Sequence, residues 1–145
     1  MLRQAAAGAA AGVLATLTMS AVMVAGRRTG LMNEHPPKNI VRAMLPGSKH
    51  RPKPGENMLA ALAHLGFGAA AGATFGAVAG RHRTSAPAGA GYGLAIWLTS
   101  YQGWLPGLDI LPPISQDRPG RPAVMAAGHV VYGLTLARAL RRLAP

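Results

Sequence analysis

Two histidines open the same short pattern. His64-Leu-Gly-Phe67-Gly68 and His129-Val-Val-Tyr132-Gly133 both read His-x-x-aromatic-Gly, and each stands inside an uncharged stretch. An imidazole in such a setting can hydrogen-bond across a helix bundle, carry a proton near neutral pH, or ligate a metal or haem iron. Four further polar residues accompany the pair: Ser20, Gln102, Tyr101 and Tyr132. No third imidazole or carboxylate lies in the uncharged stretches, which argues against a three-ligand catalytic zinc. The chain has no cysteine, which excludes disulfides, thiolate metal sites and cysteine nucleophiles.

Enzyme chemistry lacks its parts. The four acidic residues form no pair at general-acid/base spacing within an uncharged stretch. Ser20 and His64 could make a dyad, but no orienting carboxylate or oxyanion-hole motif goes with them. Phosphate-loop and dinucleotide fingerprints are absent from the sequence. The expectation is a protein that is not an enzyme.

The elements that must hold these residues are hydrophobic. Charged residues are 13% of the 145, about half the share usual in soluble domains. Residues 5–26, 58–80 and 87–108 contain no Asp, Glu, Lys or Arg. A helix rising 1.5 Å per residue needs roughly 20 residues to cross a bilayer core of about 30 Å. A fourth run follows at 123–140, with Arg138 near its end able to snorkel to the interface. The mean hydropathy of +0.20 is low because Ala and Gly stand where Leu and Ile would serve. These runs predict an all-α polytopic membrane protein: one domain over 1–145, a bundle of four transmembrane helices, and a long basic loop at 27–57.

Helices rich in small residues gain little from insertion one by one and must pack on each other. Gly8 and Gly12 form a small-xxx-small face on the first helix, and Gly89 and Gly93 another on the third. Gly68, Gly72, Gly76 and Gly80 recur every four residues along the second, a glycine-zipper pattern for close helix contact. The contact could lie within one chain or between copies in a homo-oligomer.

Counted from the ends nearest the two longer loops, Ser20, His64, Gln102 and His129 each lie six residues in. That places all four about 9 Å below one interface, with Tyr101 and Tyr132 within a turn of them. Three readings of this layer stay open. It is a set of cross-bundle hydrogen bonds, a proton or small-solute conduit, or a bis-histidine haem b site with His64 and His129 as axial ligands. The conduit ranks behind the hydrogen-bond reading and ahead of haem, because only Thr74 and Thr135 continue a polar route through the other half.

The formal charge of +11 invites a nucleic-acid reading. The basic residues flank the apolar runs, however, where they set topology and meet anionic lipid head groups. The expected partners are therefore the bilayer and its head groups, with a membrane-complex partner as a further option and no nucleic acid. Within 27–57, residues 36–45 carry an amphipathic helical pattern opened by Pro36-Pro37. Six Lys and Arg lie on the side of the termini and nine on the side of the longer loops, which does not decide orientation.

Several segments together resemble a known group. They are Gly8, Gly12, Ala15, Thr16, Met19 and Ser20 on the first helix, Pro36 to Val41, and Ala63 to Gly72. Gly91 to Pro106, Leu111 to Pro113, Pro119 to Arg121 and Gly128 to Gly133 complete the set. The chain resembles the YagU-like family of small bacterial four-helix inner-membrane proteins of unknown function. That resemblance implies the bacterial inner (plasma) membrane with both termini cytoplasmic. It brings no catalytic residues, and it suits a structural, accessory or stress-related role.

Overall fold

The computed structural model describes residues 1–33, 36–49, 51–79 and 84–143. Gly80 of the glycine row, and Arg81 and Arg83 of the turn after it, lie outside the described residues. Those described form helices, with no strand among them. In chain order the helices are α1 (Leu2–Arg28), α2 (Pro36–Met44), α3 (Glu56–Ala79), α4 (Ala86–Thr99), α5 (Leu105–Gly107) and α6 (Gly120–Leu143). Three of them, α1, α3 and α6, are long and apolar enough to cross a membrane.

The 14 residues of α4 do not stop at Thr99. The chain passes into a π-helical segment, Ser100–Trp104, and then directly into α5, so the coil runs unbroken from 86 to 107. The Leu105 N–H bonds to the Ser100 carbonyl, five residues back instead of four. Pro106 accounts for this widening. It has no N–H to give, and its ring crowds the carbonyl four residues earlier, so the turn before it opens.

Local signals set the helix ends. Arg27 and Arg28 occupy the last turn of α1, where cations oppose the partial negative charge of its carbonyls. Ser85 caps α4 by accepting a hydrogen bond from the Ala88 N–H, and Pro87 sits in the first turn.

Glycines determine how the helices meet. A Cβ at Gly8 would overlap the Gly72 carbonyl, one at Gly12 the Gly68 carbonyl, and one at Gly76 the Gln4 carbonyl. As one number rises the other falls, so α1 and α3 are antiparallel with their backbones in direct contact. The same arrangement joins α4 to α6, where Gly89 meets the Gly133 carbonyl and Gly93 the His129 carbonyl. Only glycine permits so close an approach. The glycine rows are thus used inside one chain.

Between these two pairs, α1 lies along α6. Gly26 faces the Val124 side chain, Met19 packs at Gly128, and the Thr18 hydroxyl bonds to that of Thr135 at 3.2 Å. Met19, Met23, Val124, Met125, Leu136 and Leu140 form the core there, all buried. The outside is apolar too: Leu14, Leu17, Leu62, Phe67, Val78 and Leu98 are all exposed.

The amphipathic segment at 36–45 is helical as α2 and is fastened down. Arg42 makes a two-pronged ion pair with Glu56 at the start of α3, at 2.9 Å from Nε and 2.6 Å from Nη2. The two side chains are 7% and 6% exposed, so the pair is nearly out of water. Lys53 adds bonds from its Nζ to the Arg42 and Leu45 carbonyls. The acidic residues are therefore not confined to loops, since Glu56 belongs to the first turn of α3.

Candidate functional site

A cavity of about 220 Å³ lies among the helices at the end where α2 is attached. Thr16, Met19 and Met23 of α1 and Met125, His129 and Tyr132 of α6 line its inner side. Pro36, Pro37 and Ile40 of α2 contribute to its lining as well. Ala63, His64, Phe67 and Gly68 of α3 form one wall, and Ile96, Ser100, Trp104 and Leu105 form the opposite one. Ala63, Phe67 and Trp104 reach the surface, so the cavity has lips on the outer face between α3 and the helical run 86–107.

Both histidines reach this cavity. His129 is buried, and its Nδ1 donates to the Met125 carbonyl, an acceptor only, at 2.8 Å. His64 is half-buried on the opposite wall. Tyr132, the aromatic of the second pattern, spans the interior and donates its hydroxyl to the Gly68 carbonyl at 2.8 Å. One copy of the repeated pattern is thus hydrogen-bonded to the other.

The remaining members of the expected layer go elsewhere. Ser20 donates to the Thr16 carbonyl of its own helix at 2.8 Å and is not among the cavity residues. Gln102 is exposed, and its side-chain oxygen accepts from the Ile114 N–H. Tyr101 is fully buried on the other side of the coil and donates its hydroxyl to the Asp117 carboxylate. Asp117 in turn pairs with Arg121 at 3.1 Å, which ties the start of α6 to the π segment. Counting residues from helix ends measures depth and not direction around the axis. Ile96 and Ser100, four residues apart, face the cavity, and Tyr101 follows Trp97 on another side of the coil.

Ser100 and Thr16 are cavity residues that depth counting misses, along with the three from α2. Thr16 lies one turn before Ser20 on α1, and that four-residue step is the signal for it. Ser100 lies four residues after Ile96, another cavity residue, so the same step marks it.

The geometry bears on each chemical reading. Among the described residues no three His, Asp or Glu side chains stand together as a metal site. For haem, His129 has the right second partner, since a ligating histidine commonly donates its other N–H to a carbonyl. The space does not fit. A dry cavity of roughly 150 Å³ takes one benzene, so about 220 Å³ suits one substituted ring and not a four-pyrrole macrocycle. Beyond the cavity the Tyr132 hydroxyl donates to the Gly68 carbonyl, and Phe75 lies against Tyr92, ring centres 4.9 Å apart. Thr74 bonds to its own helix, and Thr135 to Thr18.

Helices among the described residues, three of them long and apolar enough to cross a membrane, and a largely apolar cavity define a class: a small all-helical protein. The chain belongs to the family of unknown function DUF6789, whose profile matches residues 2–145. No curated protein and no solved structure matches it.

Proposed function

We propose that this chain is a four-span bacterial inner-membrane protein with an accessory, non-catalytic role: it holds a small apolar molecule drawn from the bilayer. The four spans are α1, α3, the run 86–107 and α6. Both termini face the cytoplasm, and α2 lies at the periplasmic interface. Exposed leucines and a phenylalanine around the helices support the membrane setting, because lipid is the solvent in which such a surface is stable. The location and orientation follow the YagU-like resemblance, and the partly exposed Lys38 on α2 suits an interface of anionic head groups.

The observation that carries the reading is the cavity's lateral mouth. Its lips, Ala63, Phe67 and Trp104, lie on a face that would be in contact with acyl chains. Water-soluble ligands need a route from water, whereas a molecule dissolved in the bilayer meets this mouth directly. The experiment is a comparison of full-length protein purified from native membranes into nanodiscs, wild type against Ala63→Trp. The wild type is expected to carry a co-purifying small molecule, detected by mass spectrometry of an organic extract, that the plugged variant lacks. A wild-type extract identical to that of empty nanodiscs overturns the reading.

A further inference from the structure

Of the polar side chains that line the cavity, Thr16, His64 and Tyr132 have partners, whereas His129 Nε2 and the Ser100 hydroxyl have none among the described residues. His129 holds its proton on Nδ1, which donates to the Met125 carbonyl, so Nε2 keeps a lone pair and can only accept. Among the described residues Nε2 has no hydrogen-bond partner. Ser100 supplies the donor. Hydroxyls inside these helices bond back to a carbonyl four residues earlier, as Thr16, Ser20, Thr74 and Thr99 do. The Ser100 hydroxyl has no partner among the described residues, although it lines the cavity. It opens the π segment, and single π turns within α-helices recur at functional sites.

A free acceptor and a free hydroxyl able to donate, on one small cavity, call for a ligand group that does both. A hydroxyl donates one hydrogen bond and accepts others, whereas an ether or ketone only accepts and would leave His129 Nε2 unmatched. The rest of the lining selects the body of the ligand. Met19, Met23, Phe67, Ile96 and Met125 are apolar, and methionine side chains adapt to irregular shapes. Among the described residues no Lys, Arg, Asp or Glu lines the cavity, so a carboxylate or ammonium would be left unpaired at high cost. A volume of about 220 Å³ holds one substituted ring and excludes a two-chain lipid.

We propose that the cavity binds a neutral single-ring alcohol of the phenol or quinol kind, its hydroxyl donating to His129 Nε2 and accepting from Ser100 Oγ. This rests on the reading of the cavity as a ligand site. The ring lies among the methionines, and any tail leaves through the mouth between Phe67 and Trp104. His129 and Ser100 are then the residues that set specificity.

The test uses full-length protein in nanodiscs and three probes of one shape: 2,3,5,6-tetramethylphenol, its methyl ether, and the parent tetramethylbenzene. Binding is measured by calorimetry against empty nanodiscs. The phenol is expected to bind about tenfold more tightly than either analogue, the scale of one matched hydrogen bond with a buried partner. His129→Phe should bring the phenol-to-ether ratio close to one, and Ser100→Ala should weaken the phenol about threefold. Ser100 is half-buried at the wall, so its variant remains informative even if His129→Phe folds poorly. A tetramethylphenol arm carrying a decyl chain identifies the source: tighter binding indicates a lipid-dissolved quinol, weaker binding a free phenol. Equal binding of phenol and ether to the wild type overturns the ligand class while leaving the cavity reading intact. Absence of binding by all three probes overturns the cavity reading itself.

Discussion

Two seams join the glycine-packed helix pairs, and they differ in how far they close. Where α1 meets α6, Met19 lies against Gly128, Val124 against Gly26, and Thr18 bonds to Thr135, so contact runs the length of both helices. Where α3 meets α4, contact rests on Phe75 and Tyr92, with the Tyr92 hydroxyl donating to the Ala71 carbonyl at 2.8 Å. Beyond that point the helices part, and His64 faces His129 across a cavity. The His-x-x-aromatic-Gly repeat relates α3 to α6 and the two small-residue rows relate α1 to α4, so these seams occupy equivalent places. Along the closed seam Met19 and Val124 fill the spaces over Gly128 and Gly26, whereas Ala63, Phe67, Ser100 and Trp104 border the gap of the open one. Within one architecture, a seam closes where large side chains meet glycines across it.

The largest effects should come from forcing bulk into the backbone contacts. Gly72→Leu must displace the Gly8 carbonyl and the Gly12 Cα, and should destabilise the protein by about 3 kcal/mol or more. Gly91→Leu is the matched control, because nothing lies within 4 Å of its Cβ position, and it should cost less than about 0.5 kcal/mol. Thermal unfolding in detergent compares the two. Similar melting temperatures for both variants would remove the contrast between packed and open faces.

Next in size is release of α2. Glu56→Gln leaves the buried Arg42 guanidinium facing a neutral amide, so α2 should detach from α3 while the bundle persists. Hydrogen exchange is expected to rise across Pro36–Met44 and to stay low in α1 and α6. Equal protection in wild type and variant would show that the ion pair does not hold α2 in place.

A smaller effect is expected at the bond that links the two copies of the repeat. Tyr132→Phe leaves the Gly68 carbonyl without its donor and should cost about 1 kcal/mol, read from the denaturant midpoint. The smallest should come from Ser20→Ala, within about 0.5 kcal/mol of wild type, since that hydroxyl bonds only to its own helix. A Ser20 effect as large as that of Tyr132 would place Ser20 in the cross-bundle network after all.

These variants also separate what the sequence makes legible from what it hides. Long uncharged runs outline α1 and α3, and a shorter one, closed by Arg138, outlines α6. Glycines at four-residue spacing announce the backbone contacts, since no other residue permits them. The two histidines share a cavity because both their depth and their helix face follow from a regular 3.6-residue turn. Tyr101 and Gln102 do not, because equal depth does not fix direction around the axis: they lie off the Ile96–Ser100 face and bond to Asp117 and Ile114. The attachment of α2 is equally hidden. It depends on Arg42 finding Glu56 fourteen residues away, a pairing without local periodicity.

The central claim is that the open seam faces the bilayer, and Trp104 at its lip can report on that. Trp97 is the other tryptophan, and its buried indole N–H has no partner among the described residues. Trp97→Phe therefore removes an unmatched donor and leaves one fluorophore. The measurement is the fluorescence of that variant in nanodiscs whose acyl chains are brominated at successive depths. Quenching should be strong, should peak for bromines near the interface, and should fall when tetramethylphenol occupies the cavity behind the mouth. Emission indifferent to lipid bromine but quenched by aqueous iodide would contradict the account, because the mouth would then open to water and not to lipid.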